Sequence, residues 1–320
     1  MSVLKQPPLR VIFAGTPEFA CSSLAALLSS HHAVVAVLTQ EDQPHGRGLK
    51  TTPSPIKQLA TIHQVPVLTP ASLKHHAVQA QLESYAPDLL VVVAYGKLLP
   101  LPILNLPPYG CLNVHASLLP RWRGASPIQQ AILHGDTQSG ISLMQMSLGL
   151  DEGPVLAQAP LALTPTETAQ SLHDKLAILG ANLLIETLAD LPAQLKKAAP
   201  QPTQGVTYAP KITKTDGGIH WESTAQQIDQ QVRAFTPWPT AYTQLNQTLV
   251  KIHAAQLAIQ HSSEPAGTIV AHTDHGIVVQ TGAGCLEIVS AQLPGKKRMS
   301  MTEVLRGHQA LFQVGTILGK

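Results

Sequence analysis

Apolar runs and amphipathic stretches alternate through the N-terminal part of the chain. Leu9-Arg10-Val11-Ile12-Phe13-Ala14-Gly15 predicts a first strand, after which Thr16 offers an N-cap and Pro17 a first helical position. Phe19, Ala20, Leu24, Leu27 and Leu28 then recur at helical spacing up to Ser30. Residues 33–38 and 65–68 read as the second and third strands, with helices over about 55–63 and 72–85 filling the gaps. The run 88–94 (DLLVVVA) is apolar throughout, as befits a strand buried on both faces. Cys111-Leu112-Asn113-Val114-His115 is a fifth strand, apolar except for polar groups toward its C-terminal end. Ser126-Pro127 opens a helix through Leu133, residues 141–146 and 154–163 form a strand pair, and Thr166 caps a long helix over about 167–191. Strands alternating with helices predict an α/β fold with a doubly wound, mostly parallel sheet.

The pattern changes after that helix. Residues 196–207 are rich in Pro, Gln, Ala and Lys without a period, which reads as a linker. A short strand at 218–221 and a capped helix over 223–235 precede β segments at 241–245, 249–259, 267–272, 276–280 and 285–292. Asn246, Asp274-His275-Gly276 and Gly282-Ala283-Gly284 supply the intervening turns. The expected organisation is a domain over 1–195, a linker over 196–213, and a small OB-like β-barrel over 214–320.

Composition narrows the class. The chain has 320 residues, of which 44% are hydrophobic and 12% charged, so two domains with sizeable cores are affordable. No apolar run approaches the roughly 18 to 20 residues of a membrane span, and the first residues lack a signal or transit pattern. Three widely spaced cysteines (Cys21, Cys111, Cys285) suit reduced thiols in the cytoplasm better than a disulfide frame. The net charge of +2 means that any RNA contact must use locally concentrated cations.

The candidate chemistry lies in Asn113, His115 and Asp151. An amide can donate to a developing oxyanion, an imidazole can move a proton, and a carboxylate can orient and charge the imidazole. Each has a bland reading alone: a core histidine, and a carboxylate in the Gly149-Leu150-Asp151-Glu152-Gly153 turn. The triple is specific only in combination. Gly15-Thr16-Pro17 has one glycine where a dinucleotide fingerprint needs three, so an NAD-dependent oxidoreductase is a weak alternative. The adjacent pairs His31-His32 and His75-His76 lack chelating spacing, and no metal site is expected. The stretch Gly46-Arg47-Gly48-Leu49-Lys50-Thr51-Thr52-Pro53-Ser54-Pro55 is a long polar insertion that could set a cation against phosphate. Arg121-Trp122-Arg123 pairs two cations with a ring that could stack, and Lys296-Lys297-Arg298 is the densest basic cluster.

These motifs together resemble the methionyl-tRNA formyltransferase family nearly end to end. The likeness is carried by Phe13-Ala14-Gly15-Thr16-Pro17, Gly46-Arg47-Gly48, Val91-Val92-Val93-Ala94-Tyr95-Gly96, Asn113-Val114-His115, Ser117 to Gly124 (SLLPRWRG), Gly149-Leu150-Asp151, Arg233-Ala234-Phe235 with Pro237-Trp238-Pro239, and Gly295-Lys296-Lys297. The resemblance implies that Asn113, His115 and Asp151 are catalytic. It implies that Ser117, Leu118, Leu119 and Pro120 line a site for 10-formyltetrahydrofolate, whose pterin meets the backbone of Val93, Ala94, Tyr95 and Gly96. It implies that Arg47 and Lys50 approach the acceptor end of initiator methionyl-tRNA. Arg121, Arg123, Lys296, Lys297 and Arg298 are the other cations expected to face that RNA. A cytoplasmic monomer without metal or membrane is expected. Formyltransferases of amino-sugar nucleotides or purine precursors share the triple and are the nearest rivals, and an RNA-binding module without catalysis is the non-enzyme rival. Ala116, Glu41, Gln43, Leu49 and His220 depart from the residues commoner in the family, and three of these changes lower the positive charge of the loop around Arg47.

Overall fold

The computed structural model describes residues 7–45 and 50–319. The chain folds as two units, one made of the segment up to Pro127 with Gln138–Ala162 and His173–Ala209, the other of Ile128–Thr137, Leu163–Leu172 and Pro210–Lys320. From the N-terminus the elements are β1 (Arg10–Gly15), α1 (Phe19–Leu28), β2 (Ala33–Leu38), β3 (Gln43–His45), β4 (Lys50–Thr52), α2 (Pro55–Ile62), β5 (Val67–Leu68), α3 (His76–Ser84), β6 (Leu89–Val93), α4 (Leu101–Leu104) and β7 (Cys111–His115). They continue with β8 (Arg123–Gly124), α5 (Pro127–Leu133), β9 (Gln138–Gln145), β10 (Val155–Ala162), α6 (Ala169–Leu188), α7 (Leu191–Lys197) and β11 (Tyr208–Ala209).

The most apolar run of the sequence becomes the centre of the first unit's sheet, whose order is β10-β9-β7-β6-β1-β2-β5. All five residues of β6 are buried, because both faces of the strand are covered. Full burial of one Val or Leu is worth about 1.5–3 kcal/mol, so a polar substitution in this run would be costly. Strands β1, β2, β5, β6 and β7 run parallel, whereas β9 is antiparallel to β7 and β10 to β9. The doubly wound, mostly parallel sheet is therefore present, with its antiparallel pair at one edge.

Four local expectations are corrected. Thr16 does not cap α1: its hydroxyl donates to the Tyr95 carbonyl at 3.0 Å, and the N-cap is Glu18 without a side-chain bond. The long helix is two helices, α6 and α7, bent by 99° at their junction. Pro192, in the first turn of α7, has no N–H to continue the earlier helix. Thr168 rather than Thr166 accepts from the helix start, through Ser171 N at 3.1 Å. The run 218–221 forms only a single bridge, Gly218 to Tyr242, after a 3₁₀ turn at Thr215–Gly217. Its apolar residues Ile219 and Trp221 are buried as anchors instead.

The second unit contains α8 (Ala225–Ala234), β12 (Ala241–Leu245), β13 (Thr248–Ala258), β14 (Ile269–His272), β15 (Ile277–Gln280), β16 (Cys285–Gln292), β17 (Met299–Ser300) and α9 (Met301–His308). Its antiparallel sheet has the order β12-β13-β16-β15-β14, with β17 added on β16. This is the small all-β half that the turn-rich sequence predicts. Two helices accompany it, each started by a capping box: Thr224 with Gln227, and Ser300 with Glu303. Ile252, Ile277, Leu286, Ile288, Met301 and Phe312 fill the core between them. Among the described residues no single helix is long and apolar enough to cross a membrane. Cys21, Cys111 and Cys285 are free thiols.

Candidate active site

Asn113 and His115 alternate with buried Val114 and so lie on one side of β7, at its C-terminal end. In open sheets ligands bind beyond the C-terminal strand ends. The antiparallel neighbour β9 sets Met144 opposite Asn113 and Ser142 opposite His115.

Asp151 reaches them from the turn between β9 and β10. Its φ is +49°, a left-handed conformation that Asp tolerates better than most residues. The turn is pressed against β9: a Cβ on Gly153 would lie 1.8 Å from the Gln145 carbonyl oxygen, so only glycine fits. Asp151 Oδ1 accepts from Asn113 Nδ2 at 3.2 Å, and Oδ2 accepts from the Gly124 backbone N–H at 2.9 Å. The same Oδ2 stands 3.7 Å from His115 Nδ1. The structure thus brings the sequence-predicted triple together around one carboxylate, all within the first unit.

His115 is 6% exposed, and its Nε2 lies 2.9 Å from the Trp122 carbonyl oxygen. A carbonyl only accepts, so Nε2 carries a hydrogen in this arrangement. The other ring nitrogen, Nδ1, is the one that faces Asp151.

Several residues that hold this geometry carried no sequence signal. Gln201 Nε2 donates to the backbone carbonyls of Asp151 and Gly153 at 2.8 and 2.9 Å. Its Oε1 accepts from Arg123 Nε and an Arg123 terminal nitrogen at 3.0 and 2.8 Å. Gln201 comes from the Pro- and Gln-rich segment read as a linker, where nothing local marks it. Thr207, from the same segment, accepts from Trp122 N through its hydroxyl at 2.9 Å. The short parallel pair β8–β11 then brings Gly124 so close to Ala209 that a Cβ on Gly124 would meet that carbonyl at 2.6 Å.

The Arg121-Trp122-Arg123 reading changes accordingly. Trp122 is buried and is not an open stacking platform; the Arg121 guanidinium lies 4.3 Å from its ring centroid. Arg123 is engaged with Gln201, which ties it to the turn that carries Asp151.

The segment 117–120 is held by an internal network. Ser142 Oγ donates to the Ser117 carbonyl at 2.7 Å and accepts from Leu119 N at 2.9 Å. Gln158 Nε2 donates to Ser142 Oγ and to the Leu119 carbonyl. Ser117 and Leu119 are buried, while Leu118 and Pro120 are half-buried. At the end of β6, Val93 and Tyr95 are buried, whereas Ala94 and Gly96 are exposed with φ of +48° and +78°. This backbone is presented outward, as recognition of a flat polar ring by main-chain groups requires. Burial pushes the Tyr95 hydroxyl and the Cys111 thiol each up to about 12, so neither serves as a base or nucleophile near neutral pH.

Lys296, Lys297 and Arg298 are exposed in the turn between β16 and β17, with Arg298 Nε donating to Ser290 Oγ at 3.2 Å. Lys50 opens β4. Arg47 lies outside the described residues. Among the described residues no three His, Cys, Asp or Glu side chains gather to hold a metal ion.

Residues 9–188 match the formyl transferase family model, and residues 211–309 match the formyl transferase C-terminal domain. A methionyl-tRNA formyltransferase of Idiomarina loihiensis is 49% identical over 312 residues, covering 96% of this chain and 99% of that one. One from Pseudomonas syringae is 44% identical, covering 98% and 99%. Among solved structures, an N-formyltransferase of Helicobacter canadensis, in complex with folinic acid and dTDP-3-aminofucose, covers 88% of this chain and 98% of its own. Its TM-score is 0.63 at 18% identity, a likeness of fold. With both domain models matched in order and close relatives aligned almost end to end, the chain belongs to the methionyl-tRNA formyltransferase family.

Proposed function

We propose that the chain transfers the formyl group of 10-formyltetrahydrofolate to the α-amino group of methionine esterified to initiator tRNA, and that Asn113, His115 and Asp151 perform the chemistry. The observation that carries this reading is the single carboxylate of Asp151, which accepts from the Asn113 amide and the Gly124 N–H and stands 3.7 Å from Nδ1 of His115.

An α-amino group ionises near 7.7–8.0, and an adjacent ester lowers that value, so much of the amine is a neutral nucleophile at physiological pH. The protein need not supply a strong base before attack. It must stabilise the oxyanion and manage the proton afterwards. Asn113 uses one N–H on Asp151 and keeps the other for the oxyanion. His115, protonated on Nδ1, supplies the second donor while Nε2 stays on Trp122. Asp151 orients the imidazole and helps to pass the amine's proton to the nitrogen that departs as its bond to the formyl carbon breaks.

When bound, the folate supplies an activated formyl group. The exposed backbone at Ala94 and Gly96 suits its pterin, and Ser117, Leu118, Leu119 and Pro120 form the adjoining wall. The domain over 214–320, with Lys296, Lys297 and Arg298, faces the RNA, joined by Arg47 and Lys50. We place the activity in the cytoplasm, in a monomer.

The test is formyl transfer by the purified chain to charged initiator tRNA, run against charged elongator methionyl-tRNA and against an amino-sugar nucleotide. Preference for the initiator species is expected. Turnover of the sugar nucleotide alone would overturn the reading.

A further inference from the structure

A cavity of about 320 Å³ lies outside the triple, lined by Pro17, Glu41, Pro53, Ser54, Pro55 and Gln58, with Thr16 and Gln40 also in its wall. It sits beyond the C-terminal ends of β1 and β2. In the sheet order, β6 separates β1 from β7, so the cavity's strand and the strand of Asn113 are two spacings apart, about 10 Å. The wall is tied to that intervening strand: Thr16 Oγ1 and Gln40 Nε2 both donate to the Tyr95 carbonyl, at 3.0 and 2.9 Å.

Three properties identify an occupant. First, the order β5-β2-β1-β6-β7 is the doubly wound arrangement in which a nucleoside lies outside the ends of the first two strands, with an acidic residue after the second taking a ribose hydroxyl. Glu41 stands in that place, just past the end of β2. Second, the Gly15-Thr16-Pro17 turn lacks the glycines that let a pyrophosphate approach, so a dinucleotide does not fit. Third, the volume is at the lower end of the ~300–1,000 Å³ range of small-molecule sites. A methionine side chain would leave most of it empty.

We propose that this cavity seats the 3′-terminal adenosine of the charged RNA, an inference that rests on the function proposed above. The purine lies against the rings of Pro17, Pro53 and Pro55 by dispersion, and Glu41 accepts from the ribose hydroxyl that the aminoacyl ester leaves free. The ribose, the ester and the methionine Cα together carry the amine from the seat of the purine across the ~10 Å toward Asn113 and His115.

The full-length protein is first assayed for formylation of methionyl-tRNA; absence of transfer there overturns the function itself and is read separately. Adenosine 5′-monophosphate is then the probe. It is expected to compete with methionyl-tRNA and not with the formyl donor. Gln58→Trp fills the cavity from the exposed side of α2 and is expected to raise both the inhibition constant of the probe and the KM for methionyl-tRNA at least about 10-fold, with kcat and the donor KM unchanged. The conservative Glu41→Gln is expected to weaken adenosine 5′-monophosphate about 10-fold while leaving its 2′-deoxy analogue unaffected. Absence of competition, or a probe insensitive to Gln58→Trp, overturns the proposal. So does competition by L-methioninol that Gln58→Trp abolishes, which would give the cavity to the amino-acid side chain. Equal weakening of both nucleotides by Glu41→Gln removes the ribose contact.

Discussion

The two sheets of this protein use their strands differently. In the first unit, β6 is buried along its whole length, and β7 is exposed only partially and only at polar positions. In the second unit, β13 alternates between exposed and buried positions over Leu249–Ile252 and is half-buried or exposed from there on. A strand covered on both faces offers polar groups to a ligand only where it ends, so few side chains can act, and each is fixed by its neighbours. A strand with a solvated face offers many side chains along its length, held loosely. The first arrangement suits chemistry on one carbon atom. The second suits a broad surface, to which the turn between β16 and β17 adds the exposed cluster Lys296-Lys297-Arg298.

The largest effect expected is on stability in the second unit. Phe312 is 1% exposed, and Phe312→Ala should cost about 3–5 kcal/mol, measured by chemical denaturation. Next come Asn113→Ala, His115→Ala and Asp151→Ala. Each should lower kcat by about 10² to 10³, or roughly 2.7–4 kcal/mol, with the melting temperature retained. Near-normal turnover in a folded variant would remove that residue from the mechanism.

A smaller pair of changes contrasts support of the site with support of the fold. Gln201→Ala removes bonds to Asp151 and Gly153 and should reduce kcat about 10-fold without raising the donor KM. Thr224→Ala removes the cap of α8 and should cost about 1 kcal/mol of stability with kcat unchanged. If Gln201→Ala lost stability but not rate, its carboxamide would be only a packing group.

The smallest effect is a pH dependence with one histidine in each unit. Burial, then the neighbouring His31, holds the His32 pKa below 6.5, and its Nδ1 accepts from Leu9 N at 3.1 Å. Burial chiefly lowers His253 as well, against a hydrogen bond to Gln292 that raises it. Above 6.5 both states are neutral and nothing changes. As pH falls below 6.5, the unfolded chain binds a proton that the folded chain resists, so stability drops until the lowered folded value is reached. His32→Asn keeps an acceptor without the titration and should flatten this slope in a urea series. An unchanged slope in that variant would assign the pH dependence elsewhere.

The sequence alone determined the elements whose signal is local. The buried run of β6, the polar end of β7 and the alternation of β12 follow from burial acting on neighbouring residues. Turn chemistry around Asp151 was equally visible. What was hidden depended on partners far along the chain. Thr16 and Thr166 both have the chemistry of caps, yet the Thr16 hydroxyl is taken by the Tyr95 carbonyl, which no spacing rule reveals. Gln201 looked like solvated linker because a glutamine's role is set by what lies within hydrogen-bond reach, and here that is a turn 50 residues earlier. Which imidazole nitrogen of His115 carries the hydrogen was likewise decided only by the Trp122 carbonyl. Secondary structure is written in short-range patterns of polarity, whereas the orientation of a reactive group is fixed by directional bonds between segments that only the tertiary fold brings together.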